Sequence, residues 1–307
     1  MVCYNPLTAW QRQDRSKSNG KKAIVFGKPP ANGDWKMIFL PCGQCIGCRL
    51  ARSRDWALRC VHEKSQHQQS CYLTLTYSDE NVPYSSVTGE QTLFKKHLQD
   101  FMKRLRSYLS PTKVRFFACG EYGEDTHRPH YHMILFGYDP PDKVLYKISK
   151  DGFPYYNSPI LDRLWSFGFV VVADVTFESC AYVARYVTKK ITGEAAKSVY
   201  EGIQPEFVNM SRKPGIGADW YSKYKKDVYP YDEAVVHSNG GTRVMRPPRY
   251  YDKLLEKEDE SLLQSLKEKR IEKGERKAWE IAQAGRLDAK RKYQENKTKE
   301  FKRSGIK

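Results

Sequence analysis

The stretch that decides the fold is residues 114–137, VRFFACGEYGEDTHRPHYHMILFG. Residues 114–120 and 130–137 are β-runs of large apolar side chains. The 9 residues between them are few enough to predict a hairpin. Inside the second run, His130 and His132 stand two apart. Residues i and i+2 of a strand point to one face. The two imidazoles therefore present nitrogen donors side by side, as a divalent metal requires. Seven histidines in 307 residues give about 0.16 such pairs by chance, so the motif alone is only suggestive. The hairpin adds weight, because it returns Glu121 to the side of the pair. A His–His–carboxylate set leaves metal positions open to water or a phosphate oxygen. His127 and Glu124, in the same turn, compete as ligands.

Working outward, residues 72–77 and 169–175 read as two further β-runs. Residues 93–109 carry Leu93, Leu98, Phe101, Met102, Leu105 and Leu109 at helical spacing. Residues 138–165, with four prolines, read as a long insertion, and residues 177–191 as a helix. The order β-α-β-β-(insertion)-β-α predicts an α+β fold, an antiparallel sheet with helices packed on one face. The first 40 residues read as loop, from Asn19-Gly20, Pro29-Pro30 and Asn32-Gly33. A helix is predicted over residues 50–67. Residues 193–250 look irregular, basic and rich in Tyr, Pro and Gly. Residues 251–307 read as charged helices, solvated rather than packed, with a DNA-clamping arm as the sharper alternative.

The helix over 177–191 carries Tyr182 and Tyr186, four residues apart. With 21 tyrosines in the chain the spacing itself says nothing. The face does. At about 100° per residue, Tyr182, Tyr186 and Lys189 fall together, with Lys190 beside them, while Cys180, Val183, Ala184 and Val187 form a separate apolar stripe. The tyrosines need not be core, and two phenols beside cations suit a phosphate. A phenol has a pKa near 10 and is a poor nucleophile at neutral pH. A cation polarising a phosphate would compensate, so the histidine strand and tyrosine helix complement each other. The plain alternative is a pair of amphipathic interface tyrosines.

Cys42, Cys45 and Cys48 form C-x₂-C-x₂-C. In a reducing compartment such crowding reads as metal ligation rather than disulfides. Structural zinc needs a fourth ligand, for which Cys3 and Cys60 are candidates with His62 behind them. An iron–sulfur cluster is the rival, although the ferredoxin run would place its next cysteine much sooner than Cys60. Cys71, Cys119 and Cys180 fall in core elements and read as buried hydrophobes. Lys+Arg exceed Asp+Glu by 53 to 36, a formal charge of +17, which points to a polyanion. Residues 251–307 hold 17 basic against 12 acidic residues, so most of the excess lies elsewhere. It surrounds Arg49, Arg52 and Arg54, Arg185, and the basic turn at Arg212 and Lys213, which are candidate DNA contacts. That turn, with Pro214-Gly215-Ile216-Gly217, also offers backbone N–H groups to a phosphate. Aromatics at 13% argue against disorder. No apolar run is long enough to span a membrane, and residues 1–10 lack a secretory core, so a cytoplasmic setting is expected.

The segment Gly120-Glu121-Tyr122-Gly123 through Arg128-Pro129-His130-Tyr131-His132 resembles the metal motif of the HUH endonuclease superfamily. Tyr182 to Lys190 resembles its two-tyrosine motif, and Leu73-Thr74-Leu75-Thr76-Tyr77 its Thr-rich first strand. More narrowly, Cys3-Tyr4-Asn5-Pro6, Cys42-Gly43-Gln44-Cys45 and Pro214-Gly215-Ile216-Gly217 are similar to the replication initiators of gokushovirus-type microviruses, small single-stranded DNA phages. The resemblance implies a nuclease core over 71–192, following a Cys-rich segment and helix over 1–70. It implies nicking of replicative-form DNA through a covalent 5′-phosphotyrosine, priming of host polymerase with a host helicase, and religation of a single-stranded circle. It makes His130, His132 and Glu121 ligands of Mg²⁺ or Mn²⁺, with Tyr182, Tyr186, Lys189 and Lys190 as the catalytic set. The work would take place in the cytoplasm of the bacterial host. Two other readings stay open: a non-catalytic zinc-knuckle nucleic-acid-binding protein, and an HUH plasmid initiator or transposase.

Overall fold

The computed structural model describes residues 3–15, 22–123, 126–150, 152–189, 194–238, 241–281 and 286–301. The chain divides into two compact units, one of residues 1–51 with 270–307 and one of residues 52–269. The first unit holds a three-stranded antiparallel sheet of β1 (Leu7–Arg15), β2 (Lys22–Val25) and β3 (Trp35–Leu40), in the order β2-β1-β3. The reading of the first 40 residues as loop is therefore corrected. Gly and Pro punctuate the stretch, but Leu7 pairs with Leu40 and the ladder runs to Arg12 opposite Trp35. Helix α1 (Ile46–Lys64) starts at the cysteine run, four residues earlier than the periodicity suggests.

The second unit is built on a seven-stranded sheet. In chain order its elements are β4 (Ser70–Tyr77), α2 (Lys95–Leu109), β5 (Arg115–Tyr122), β6 (Pro129–Phe136), β7 (Val144–Ile148), β8 (Pro154–Asn157), α3 (Pro159–Trp165), β9 (Gly168–Asp174) and α4 (Phe177–Lys189). They continue with α5 (Glu194–Val199), β10 (Phe207–Met210), α6 (Ala218–Val228), the hairpin β11 (Ala234–Ser238) with β12 (Gly241–Met245), α7 (Arg249–Glu258) and α8 (Glu260–Ile281); α9 (Arg286–Phe301) ends the described chain. The sheet order is β10-β5-β6-β4-β9-β8-β7, and every pairing is antiparallel. The α+β class and the hairpin are as the sequence predicts. The insertion is not a loop, since it supplies β7, β8 and α3, and the region after residue 193 supplies the edge strand β10.

Helices cover both faces, which corrects the expectation of one. Leu73, Leu75, Tyr131 and Met133 pack with Leu98 and Phe101 of α2 and Trp165 of α3. On the opposite face Tyr72, Phe117 and Ile134 pack with Ala57 and Cys60 of α1 and with Cys180, Val183 and Ala184 of α4. The reason is in the strands: residues 116–121 and 131–136 are buried without interruption, and a strand apolar on both sides needs cover on both. The apolar stripe expected on the tyrosine helix is the one that faces this sheet. The start of the tail is not solvated either. Tyr251, Leu255, Leu263 and Leu266 form a third cluster with Tyr221 and Tyr229. None of the described helices is long and apolar enough to cross a membrane.

Candidate metal and tyrosine site

The site grows from the register of three central strands. In the β5/β6 ladder Glu121 lies opposite His130 and Cys119 opposite His132; in the β4/β6 ladder Thr74 lies opposite His132. Cross-strand partners share a face, so Tyr72, Thr74, Glu121, His130 and His132 all point toward the side covered by α4. Three ligand atoms converge there within 4.8 Å of one another, from Glu121, His130 and His132. Glu121 Oε1 is 2.7 Å from His130 Nε2 and 2.8 Å from His132 Nε2. Glu121 and His132 are buried and His130 is half-buried. Burial pushes the Glu121 carboxyl up, but the hydrogen bonds and charges of the two histidines outweigh it and bring it down to about 2.

The outer nitrogens are held as well. His130 Nδ1 faces the Arg128 carbonyl at 3.0 Å, so it donates there. Its Nε2 also faces an acceptor, the Glu121 carboxylate, and a positive centre at that point satisfies both groups. His132 Nδ1 is 2.6 Å from the Tyr72 hydroxyl and 3.2 Å from Thr74 Oγ1. Such outer contacts orient imidazoles that ligate a metal. Two imidazole nitrogens and one carboxylate, anchored from behind and open on one side, fit a divalent cation.

Tyr182 reaches this centre from α4. Its ring stands edge-on to His132, with centroids 5.3 Å apart at 87°, and edge-on to Tyr72 at 6.4 Å. The Arg185 guanidinium lies over the Tyr182 ring, 5.5 Å from its centroid. Tyr186 and Lys189 belong to α4, one and two turns further on, but their side chains lie outside the described residues, as does Lys190 entirely. Glu124 is also outside them. His127 is exposed, at a positive φ of 49°, and is not part of the cluster.

The remaining candidates scatter. Cys3, Cys42, Cys45 and Cys48 gather within 4.8 Å, whereas Cys60 is fully buried in the apolar layer under α1 and is not a fourth ligand. Cys71, Cys119 and Cys180 are buried as expected. Arg54 contacts Asp55 at 3.4 Å, and Arg49 sits in the first turns of α1. Arg212 and Lys213 are exposed, but the turn after them is used internally: the Gly217 N–H donates to Glu63 at 2.6 Å and the Ile216 carbonyl accepts from Arg59. Arg52 lines a cleft of about 350 Å³ with Trp56, Arg59, Arg249, Tyr250 and Lys253. There the Arg59 guanidinium is sandwiched between Trp56 at 3.9 Å and Tyr250 at 4.1 Å. Sequence reasoning misses this cleft and the roles of Tyr72 and Thr74. The alternation of β4 could have revealed the latter, since it puts positions 72 and 74 on one face.

A model of the replication-associated protein ORF2 family matches residues 70–191, the span from β4 into the tyrosine helix. The chain is 32% identical over 281 residues to replication-associated protein ORF2 of Spiroplasma virus 4, covering 88% of this chain and 86% of that one. It is 31% identical over 253 residues to replication-associated protein VP4 of Bdellovibrio phage phiMH2K, covering 82% and 76%. It is 33% identical over 227 residues to replication-associated protein ORF4 of Chlamydia phage 1, covering 71% and 54%. No solved structure matches. The fold and the site thus define a protein of phage DNA replication, and the chain belongs to the family of phage replication-associated proteins.

Proposed function

We propose that the chain is a replication initiator of the HUH type, a metal-dependent DNA nickase and strand-joining enzyme with a tyrosine nucleophile. One observation carries this: the Tyr182 ring lies 5.3 Å from His132, inside the same cluster as Glu121 and His130. A binding module needs no phenol at a cation site. Glu121, His130 and His132 would hold Mg²⁺ or Mn²⁺. When bound, the cation withdraws charge from the scissile phosphate and stabilises the transition state.

The Tyr182 or Tyr186 phenolic oxygen attacks the phosphorus at the origin. The new O–P bond replaces the bond to the 3′ oxygen, which leaves with the proton the phenol has lost. The 5′ phosphate stays on the tyrosine and the free 3′ hydroxyl primes a host polymerase, with a host helicase opening the duplex. The other tyrosine repeats the step after one round, and the reverse displacement closes a single-stranded circle. Arg185, Lys189 and Lys190 are the cations that suit the phosphate and the phenolate, and the Arg52–Lys253 cleft suits the DNA strand beyond the cut. The test is a single-stranded origin oligonucleotide with Mn²⁺ or Mg²⁺. Wild type should give a covalent protein–DNA adduct and the double variant Tyr182→Phe, Tyr186→Phe none. An adduct that persists in the double variant overturns the proposal. Salt-sensitive binding without cleavage in any divalent metal would instead favour the zinc-knuckle reading.

A further inference from the structure

Cys3, Cys42, Cys45 and Cys48 bring four sulfurs within 4.8 Å of one another from two ends of a 46-residue span. The Cys3 and Cys42 sulfurs are 3.6 Å apart and those of Cys45 and Cys3 are 3.8 Å apart. Four sulfurs at about 2.3 Å from one zinc ion form a tetrahedron whose edges are about 3.8 Å. The observed spacings are therefore those of a mononuclear tetrathiolate. A disulfide would put two sulfurs at about 2.05 Å, and all eight cysteines are free thiols. A four-iron cluster seats each cysteine on a separate iron and spreads the sulfurs wider than this. Backbone amides already point at the sulfurs: Tyr4 N–H donates to Cys45 Sγ, Cys42 N–H to Cys3 Sγ and Cys45 N–H to Cys42 Sγ, each at 3.3 Å. Such donors offset thiolate charge around a metal.

We propose that these four cysteines bind one structural Zn²⁺ that closes the first unit of the chain. The need for it is visible in the packing. Cys3 lies just before β1 and Cys42 just after β3, beyond the end of the ladder where Leu7 pairs with Leu40. That sheet has almost no core. Ala9 is buried, whereas Leu7, Ile24, Met37 and Phe39 are all exposed. A three-stranded sheet with so little buried apolar surface is marginal unless a metal or cross-link holds it. The ion joins the two outer ends of the β1/β3 pair to the first turn of α1, where Cys48 sits. Zinc, with no preference for an open position in an all-sulfur set, makes this a closed structural site.

The test uses the full-length protein and reads metal, not cleavage, so it succeeds or fails independently of the nuclease reading. Elemental analysis of purified wild type should give one zinc per chain, and Cys3→Ser should lose at least nine-tenths of it. Exchange for Co²⁺ should give the intense visible absorption of a tetrahedral thiolate site, altered in Cys3→Ser. Should Cys3→Ser fail to fold, wild type still decides: stripping the metal with a chelator should expose four further reactive thiols. Iron in place of zinc, no stoichiometric metal, an unchanged cobalt spectrum in Cys3→Ser, or no newly reactive thiols would overturn the proposal.

Discussion

Replacing Tyr72 by Phe isolates the support behind the cation site. The hydroxyl lies 2.6 Å from His132 Nδ1, and the ring beneath it packs against Tyr182 at 6.4 Å. Phenylalanine keeps the ring and deletes only the oxygen. Thr74 Oγ1, at 3.2 Å from the same nitrogen, remains as a longer partner. Removing the outer partner of a metal-ligating imidazole weakens metal affinity by about 10- to 100-fold. With Thr74 still in place, Tyr72→Phe should fall near the lower end, about tenfold or roughly 1.4 kcal/mol. The double variant Tyr72→Phe, Thr74→Val should approach the upper end, about 100-fold or roughly 2.8 kcal/mol. Mn²⁺ titration followed by calorimetry or electron paramagnetic resonance gives both affinities directly. Thermal unfolding without metal provides the control, since neither change removes much apolar volume. Mn²⁺ affinities within about twofold of wild type for both variants would refute the assignment of His132 as a ligand oriented from behind.

Three further outcomes follow from other parts of the fold. His62 is buried in stack with Trp220, centroids 3.4 Å apart, and burial holds it down to about 3 from an ordinary 6.5. Neutral when folded but protonated when unfolded, it contributes its full share of stability above pH of about 6.5 and loses it as pH falls toward 3, at most roughly 5 kcal/mol; denaturant melts at pH 7 and 5 should show the loss, and His62→Gln should flatten it. Gly168 takes a φ of 156°, and a Cβ there would lie 2.3 Å from the Thr76 carbonyl oxygen and 2.4 Å from the Ser78 nitrogen. Gly168→Ala should therefore pry β9 from β4 and lower stability by about 3 kcal/mol or more, a fall in Tm of roughly 6–12 °C; an unchanged melt would contradict the strand pairing. In the cleft, the exposed Arg52, Arg249 and Lys253 should each neutralise a phosphate, so the triple alanine variant should flatten the log–log salt dependence of single-strand binding by about 2, and an unaltered slope would remove the cleft from the DNA path.

The hairpin was legible because its two signals are local. Alternation fixes the face of His130 and His132, and nine residues fix the return of Glu121. The amphipathic α2 and the tyrosine helix were legible for the same reason, since a separate apolar stripe marks the packed side. The three-stranded sheet was not. Its apolar residues Leu7, Ile24 and Phe39 face solvent, so no burial pattern distinguishes it from the turns that interrupt it. The second helical layer was hidden because strands apolar on both faces show no alternation. Cys3 remained one of two candidates because the chain between residues 3 and 42 has to fold before that thiol meets the others. The Arg59 sandwich was out of reach in principle, as it needs Trp56 and Tyr250, which lie far apart in the chain.

The pairing of Glu121 with His130 has an evolutionary consequence. The ladder of β5 and β6 sets the distance between carboxylate and imidazoles, and the chain that joins the strands does not. The connection between Tyr122 and Pro129 is thus a free length variable, able to gain or lose residues without separating the ligands. A single insertion inside either strand does the reverse. It turns each following side chain to the other face, and would drive an imidazole toward Phe101 and Trp165. Descendants of this fold can drift widely in the turn while His-x-His stays rigid, so the carboxylate should float in sequence spacing and remain fixed in space.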